Sequence, residues 1–368
     1  MTKSEEILGD YPAQPETGRH MDRRAFIHKG SVSLAGAGLA ALFNAPDASG
    51  EQAQKKSKIV MVKHDGATND RGAGIAPTVR QMVNRSMREL TGKDSLGDAW
   101  REFVSPDDVV GVKMNLRGGR NLSTQPCVVE AIILGLGAAG VKANNIIVWD
   151  ALDREFPITG FKIRDSDESV RYYGADHGSS NPRRPRDRDA LQEAVKDCYS
   201  SEPVMVSDKP VYFSKIYDEI TALINVPLIK DHTIAGVTVS MKNHFGGILN
   251  PSDLHPNACD PYLAELNATA PIKDKTRLII VDGLRSIYNK GPRDDPRYRW
   301  RQNSIMAGTD TVAIDYLGLQ IIEQKRKEND LPPIGKRARH IATAAKIGLG
   351  TNDPAQIDLK EIDLTSTA

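Results

Sequence analysis

Asp108-Val109-Val110-Gly111-Val112-Lys113-Met114-Asn115, an apolar run from Val128 to Ala139 opened by Pro126 and stopped by Gly140, and Ile146-Ile147-Val148-Trp149-Asp150 together decide the fold. The outer two runs have strand length and the middle one has helix length. Proline stands where a first helical turn tolerates it, and glycine stands where a helix ends. Strand, helix and strand in that order imply a parallel pair with the helix laid across it.

The same pattern continues on both sides. Lys58 to Lys63 reads as a strand, and Pro77 to Leu90 as a helix through Val79, Met82 and Val83. Downstream, Ile220 to Val226 reads as a strand that runs on to Pro227-Leu228-Ile229-Lys230-Asp231-His232, and Gly236 to His244 reads as a helix. Arg277 to Gly283 and Ser304 to Gly308 read as strands, Asp310 to Lys327 as a long amphipathic helix with Asp310 as its N-cap, and Ala338 to Ile347 as a closing helix. Ile357 to Leu364 suggests a last strand. The expected class is α/β: a mainly parallel sheet flanked by helices, Rossmann-like in its layers, with a polar insertion or long surface connection over residues 151–210. Residues 51–368 form the α/β domain in this reading.

Residues 1–50 read as a leader with a twin-arginine (Tat) signal peptide. Arg23-Arg24-Ala25-Phe26-Ile27-His28-Lys29 precedes an uncharged run from Gly30 to Pro46. That run is shorter than the ~20 residues that cross a bilayer, and its basic front and small-residue rear fit a cleavable signal. Ala48-Ser49-Gly50 or Ala45 offers the cleavage site, and Met21 offers a second start. The expectation is a periplasmic or extracytoplasmic protein that meets the Tat export machinery and keeps no membrane span after cleavage.

Hydrophobic residues make up 39% of the chain and charged residues 26%, the balance of an ordinary globular domain. A net charge of +1 argues against nucleic-acid binding by bulk electrostatics. The three cysteines, Cys127, Cys198 and Cys259, are far apart. They allow one disulfide, but an iron–sulfur cluster held by this chain's own cysteines is not expected. There is no phosphate-binding G-x-x-x-x-G-K-[ST], no G-x-S-x-G and no complete G-x-G-x-x-G.

Ligands of open parallel sheets sit beyond the carboxyl ends of the strands. The candidate residues are therefore Lys113, Asn115, Asp150, Lys230, Asp231, His232 and Asp282, with Asp310 and Asp315 opening the next helix. Lys113 and Asn115 alternate along one strand and share a face. Lys113 either pairs with a carboxylate such as Asp150 or Asp282, or holds an anionic substrate. Lys242, Asn243 and His244 fall on the expected helix, where Thr238 would share a face with Lys242, and Ser240 with His244. His232, His244 and His255 are candidate ligands of a divalent transition metal, with Asp253 and Cys259 nearby, although their spacing matches no zinc motif. His232 is also a candidate proton carrier. Arg293, Arg297, Arg299 and Arg301, around Tyr298 and Trp300, could clamp an anionic or aromatic ligand.

The order of Val109 to Asn115, Gln125-Pro126, Ala138 to Val141, Leu223 to His232, Gly236 to Gly246, Val281-Asp282-Gly283 and Ala307 to Asp315 resembles the DUF362 family. The resemblance runs from about Lys58 to Leu364. Some members carry cysteine-rich ferredoxin-like segments. This chain lacks them, so a built-in electron-transfer role is not implied. The expected function is an exported protein whose polar cleft binds an anionic small molecule, with metal-assisted acid–base chemistry as its reaction. Lys113, His232 and Asp282 are the catalytic candidates, and Asn115, Lys242, Asn243 and Asp315 the binding candidates. The alternative is a non-catalytic ligand-binding or maturation subunit of an exported redox system.

Overall fold

A computed structural model describes residues 56–180 and 187–365, so the leader and signal peptide lie outside the described residues, as does most of the run from Pro182 to Asp189. Twelve strands are present among the described residues: β1 Ser57–Lys63, β2 Val110–Lys113, β3 Ile146–Asp150, β4 Arg171–Gly174, β5 Val204–Val206, β6 Lys209–Val211, β7 Ala222–Asn225, β8 Leu228–His232, β9 Gly236–Thr238, β10 Thr276–Ile287, β11 Arg299–Gly308 and β12 Ile357–Asp363. The main sheet runs β12-β1-β11-β10-β7-β2-β3-β4, with β8 beside β10 and β9 beside β8, while β5 and β6 form a separate hairpin. The run from β10 through β7, β2 and β3 to β4 is parallel throughout, and β11 is antiparallel to both its neighbours. This is the α/β class expected, a mostly parallel sheet between helices.

Alternation along the strands fills two cores. Ile59, Met61, Ile147, Trp149, Leu223, Ile279 and Val281 face one side, while Val60, Val62, Ile146, Val148, Ile224, Leu278 and Ile280 face the other. The helices Ala76–Thr91 and Pro126–Ala139 cover the second side, and the helices Thr311–Lys327 and His340–Lys346 cover the first. Gly135 lets the helix Pro126–Ala139 come in close, since a Cβ there would lie 2.2 Å from the Trp100 ring. Asp310 caps its helix by accepting from Val312 N and Ala313 N at 2.9 and 2.8 Å.

Three expectations are corrected. Gly236 to His244 is not one helix. Gly236–Thr238 is a strand paired antiparallel with β8, and only Ser240–Asn243 is helical before a 3-10 turn at His244–Gly247. β10 and β11 extend well beyond Gly283 and before Ser304 as the two arms of a hairpin with a bulge between Gly283 and Arg285. Within residues 151–210, β4 joins the main sheet as its edge, so that span is not wholly a surface connection. Among the described residues no helix is long and apolar enough to cross a membrane.

Candidate functional site

A cavity of about 310 Å³ opens beyond the carboxyl ends of β2, β3 and β8. Its polar lining is Asn115, Asp150, Lys230, His232, Thr238 and Lys242, with Asn243 and His255 beside them and Arg117 and Arg154 also on its wall. Lys230 and His232 are two apart on β8 and share its cavity face, and Thr238 stands opposite Lys230 across the β8–β9 pair. Asp231 points the other way, with its carboxylate 3.6 Å from Arg326 and 3.8 Å from Arg337 and an N–H from Gly291 at 3.0 Å.

A directed row of amides orients the floor. Lys230 Nζ donates to Asn115 Oδ1 at 2.6 Å, Asn115 Nδ2 to Asn243 Oδ1 at 3.0 Å, and Asn243 Nδ2 to Asn225 Oδ1 at 2.7 Å. Each amide presents its oxygen toward Lys230 and its N–H away, so the dipoles add in the sense that favours an ammonium there. Asn225 closes the row on Ser240 O and Ser240 Oγ at 3.0 Å.

Among the described residues, two lysines in this cavity have no carboxylate within ion-pair distance. Lys230 is 1% exposed and Lys242 is 6% exposed. Lys230 Nζ bonds only an amide oxygen. Lys242 Nζ lies 3.3 Å from His255 Nε2, 3.7 Å from Cys259 Sγ and 3.8 Å above the Phe245 ring. Burial lowers both, each to about 8.

The histidines divide by tautomer. His232 Nδ1 accepts from Ile234 N and Ala235 N at 3.1 and 3.2 Å, so the neutral ring carries its hydrogen on Nε2. Burial, then the nearby Lys242, pushes His232 down to about 2. With Nδ1 taken by two backbone N–H groups, the Nε2–H is left as a hydrogen-bond donor. His255 is the reverse: Nδ1 donates to Pro251 O at 2.9 Å, which leaves Nε2 as an acceptor facing Lys242. Burial, then Lys242, lowers it to about 4.

His244 does not join the other two. Its ring is enclosed between Asn225 Nδ2 and Tyr217 Oη, each at 3.2 Å, and burial lowers it to about 3. The rings of His232 and His255 are 5.8 Å apart, with the Lys242 amine beside His255. Among the described residues no group of three or more His, Cys, Asp or Glu is placed to hold a metal. The expected set His232, His244 and His255 is thus not assembled. A divalent cation would share the cavity with two lysines, a donor set that does not fit it.

Three more expected site residues lie elsewhere. Lys113 is not in the cavity wall. Its Nζ donates to Asp150 Oδ1 at 2.5 Å and Met114 O at 2.7 Å, sealed beneath Gly246. Asp282 is wholly buried and accepts from Gln125 N at 2.8 Å and Leu284 N at 3.0 Å. It ties β10 to the start of the helix Pro126–Ala139, and burial raises it to about 6. Asp315 accepts from Ser240 N at 2.6 Å and Met241 N at 3.3 Å, so it holds the start of the short helix that carries Lys242 and Asn243.

The basic–aromatic loop is also engaged with itself. Arg297 pairs with Asp295 and Arg299 with Asp294, and Tyr288 packs edge-on to Tyr298 and Trp300. The three cysteines are buried free thiols. Sequence reasoning missed Asn225 and the cavity position of Thr238. A polar residue closing an apolar strand run was the available signal for Asn225.

Among known families, one described as a domain of unknown function (DUF362) matches residues 110–320. Among solved structures, a protein from Thermotoga maritima is 12% identical, over 71% of this chain and 60% of its own, with a TM-score of 0.34. The lactate racemase apoprotein from Thermoanaerobacterium thermosaccharolyticum is 12% identical, over 72% of this chain and 57% of its own, with a TM-score of 0.36. The match spans 60% or less of either solved chain, and at this similarity neither bears on the chemistry of the cavity. No curated protein sequence matches. The family match covers more than half of the chain, and the chain belongs to the DUF362 family.

Proposed function

We propose that this DUF362 protein binds a small organic anion in the cavity and carries out proton-transfer chemistry on it. One observation carries the reading: two buried lysines, Lys230 and Lys242, line the same cavity, and among the described residues neither has a carboxylate within ion-pair distance. A buried ammonium without a counter-charge is costly, and an anion entering the cavity supplies that charge. Lys230 has donor capacity left after Asn115, the Nε2–H of His232 is a second donor, and the buried Thr238 Oγ1 has no protein partner. All three line the cavity from one hairpin, as donors for one anionic group. Lys242 with His255 supplies the acid–base pair. Neutralisation of the buried lysines also explains why Lys113 takes no part, since Asp150 already balances it.

Titration calorimetry with succinate and with pyruvate tests the anion site. Lys230→Met is expected to weaken binding by about 2–5 kcal/mol, the penalty for truncating one partner of a buried charged hydrogen bond. Equal affinity in the variant would remove Lys230 from the site. Binding without turnover of any small acid would favour the non-catalytic ligand-binding or maturation subunit instead.

Export by the twin-arginine route belongs to the same proposal, and Arg23-Arg24 ahead of a short apolar run supports it. Cell fractionation is expected to find the protein outside the cytoplasm, and an Arg23→Lys/Arg24→Lys variant retained inside. Equal export of the double variant would sink the signal reading.

A further inference from the structure

Lys230 and Lys242 differ in what stands beside each nitrogen. Lys230 Nζ meets the amide oxygen of Asn115 at 2.6 Å, at the head of an aligned amide row. An amide oxygen accepts a hydrogen bond but takes no proton near neutrality, so this partner favours the charged form of the lysine. Lys242 Nζ meets His255 Nε2 at 3.3 Å, and the bond from Nδ1–H to Pro251 O leaves that ring nitrogen unprotonated. An imidazole nitrogen does take a proton. Lys230 faces a group that can only accept its hydrogen bond, and Lys242 is placed beside a base.

The surroundings of Lys242 agree. Its other polar neighbour is the Cys259 sulfur at 3.7 Å, a thiol that burial pushes up against the pull of Lys242. Among the described residues no salt bridge pins the Lys242 amine as a cation, and the amine lies over the Phe245 ring. A desolvated lysine of this kind is the usual carbonyl nucleophile. Lys230, His232 Nε2–H and the unpartnered Thr238 Oγ1 meanwhile form a donor set for the carboxylate of the same molecule.

We propose that Lys242 condenses with the keto group of a small 2-oxo acid, forming an imine at Nζ while Lys230 holds the acid's carboxylate. This rests on the anion-binding reading of the cavity. The Nζ lone pair forms the C–N bond, and the C=O π pair moves to oxygen. His255 Nε2 takes a proton from the nitrogen and returns it to that oxygen. The second amine hydrogen then passes to the same oxygen as the C–O bond breaks and the nitrogen pair forms C=N, so amine plus ketone gives imine plus water with no oxidant or reductant. Lys242 is a catalytic residue in this step, and His255 holds the transferred proton.

The purified full chain is incubated with pyruvate or 2-oxoglutarate, reduced with sodium borohydride and mapped by peptide mass spectrometry, with succinate as the carbonyl-free control. The expected result is a secondary amine on Lys242 with the oxo acids and none with succinate. Lys242→Arg is expected to lose it at unchanged melting temperature. Lys230→Met is expected to need at least about tenfold more pyruvate for the same yield. Mapping on the unsubstituted protein keeps the test independent of how the variants fold. An adduct on another lysine, or none while calorimetry shows pyruvate bound, overturns the imine and leaves the anion site standing. If neither pyruvate nor succinate binds, the anion site falls, and the imine with it.

Discussion

Replacing Lys113 with Met is expected to cost about 3–5 kcal/mol of folding stability, the loss typical of removing one partner from a buried ion pair. The side chains of Lys113 and Asp150 are 0% and 2% exposed, with Nζ and Oδ1 at 2.5 Å. Asp150 Oδ2 accepts from Leu116 N at 2.5 Å, and Lys113 Nζ also donates to Met114 O, so every strong group of the pair is committed. Gly246 closes the lid: a Cβ there would lie 2.5 Å from Asp150 Oδ1 and 2.7 Å from Lys113 Nζ. Methionine fills the space of the lysine stem but leaves a buried carboxylate with one backbone donor. The double variant Lys113→Met/Asp150→Leu should recover most of the loss, because removing both charges also removes the desolvation penalty. Urea midpoints measure both. A loss of about 1 kcal/mol or less in the single variant, the size of a surface pair, would show that the pair is not a buried anchor.

That pair illustrates what the sequence could and could not reveal. Lys113 inside an apolar strand demanded a partner, and Asp150 at the end of the next parallel strand was one of two named. The register Lys113↔Trp149 brings Asp150 alongside, so the structural alternative prevails. Strand alternation also located Asn115, Lys230 and His232, because their positions depend on the period of two alone. Asp282 and Asp315 went astray for the opposite reason. Each is tied down by backbone N–H groups from segments far away in the chain, Gln125 for one and Ser240 for the other. No local pattern encodes such a bond. The misread helix at Gly236 has the same origin. Val237, Val239 and Met241 fit either period over so short a span. The turn is fixed by Gly236 at φ +78° and by β8 pairing, while the short helix after it starts where Asp315 reaches its N–H groups. The hairpin arms were underestimated because the outer half of β11, Arg299 to Asn303, is mostly polar, and a bulge after Gly283 breaks the alternation of β10.

Turnover of an oxo acid is expected to follow a bell against pH with its maximum near about 8, since the cavity needs one lysine charged and the other free. Lys230 and Lys242 both sit near about 8 because burial disfavours their charged forms. Below that value both are ammonium: the carboxylate binds well, but Lys242 has no lone pair to react. Above it both are neutral: Lys242 is reactive, but the carboxylate has lost its anchor. The rising limb therefore follows loss of the Lys242 proton and the falling limb loss of the Lys230 proton. Succinate, which needs no nucleophile, is expected to show only the falling limb, its affinity dropping as pH rises through about 8. Folding stability carries the same imprint. The ordinary lysine value is 10.5, so between about 8 and 10.5 the unfolded chain binds protons that the folded one does not. Stability of the empty protein from these groups accordingly rises with pH across that window and is lost as pH falls through about 8. A bound anion works in the opposite direction, so the rise in melting temperature on adding succinate is expected to be largest below about pH 8 and to shrink above it. Lys230→Met should flatten that dependence. Succinate affinity constant from roughly pH 7 to 9.5 in the unsubstituted protein would mean that neither lysine titrates in the cavity, and the division of labour between them would be wrong.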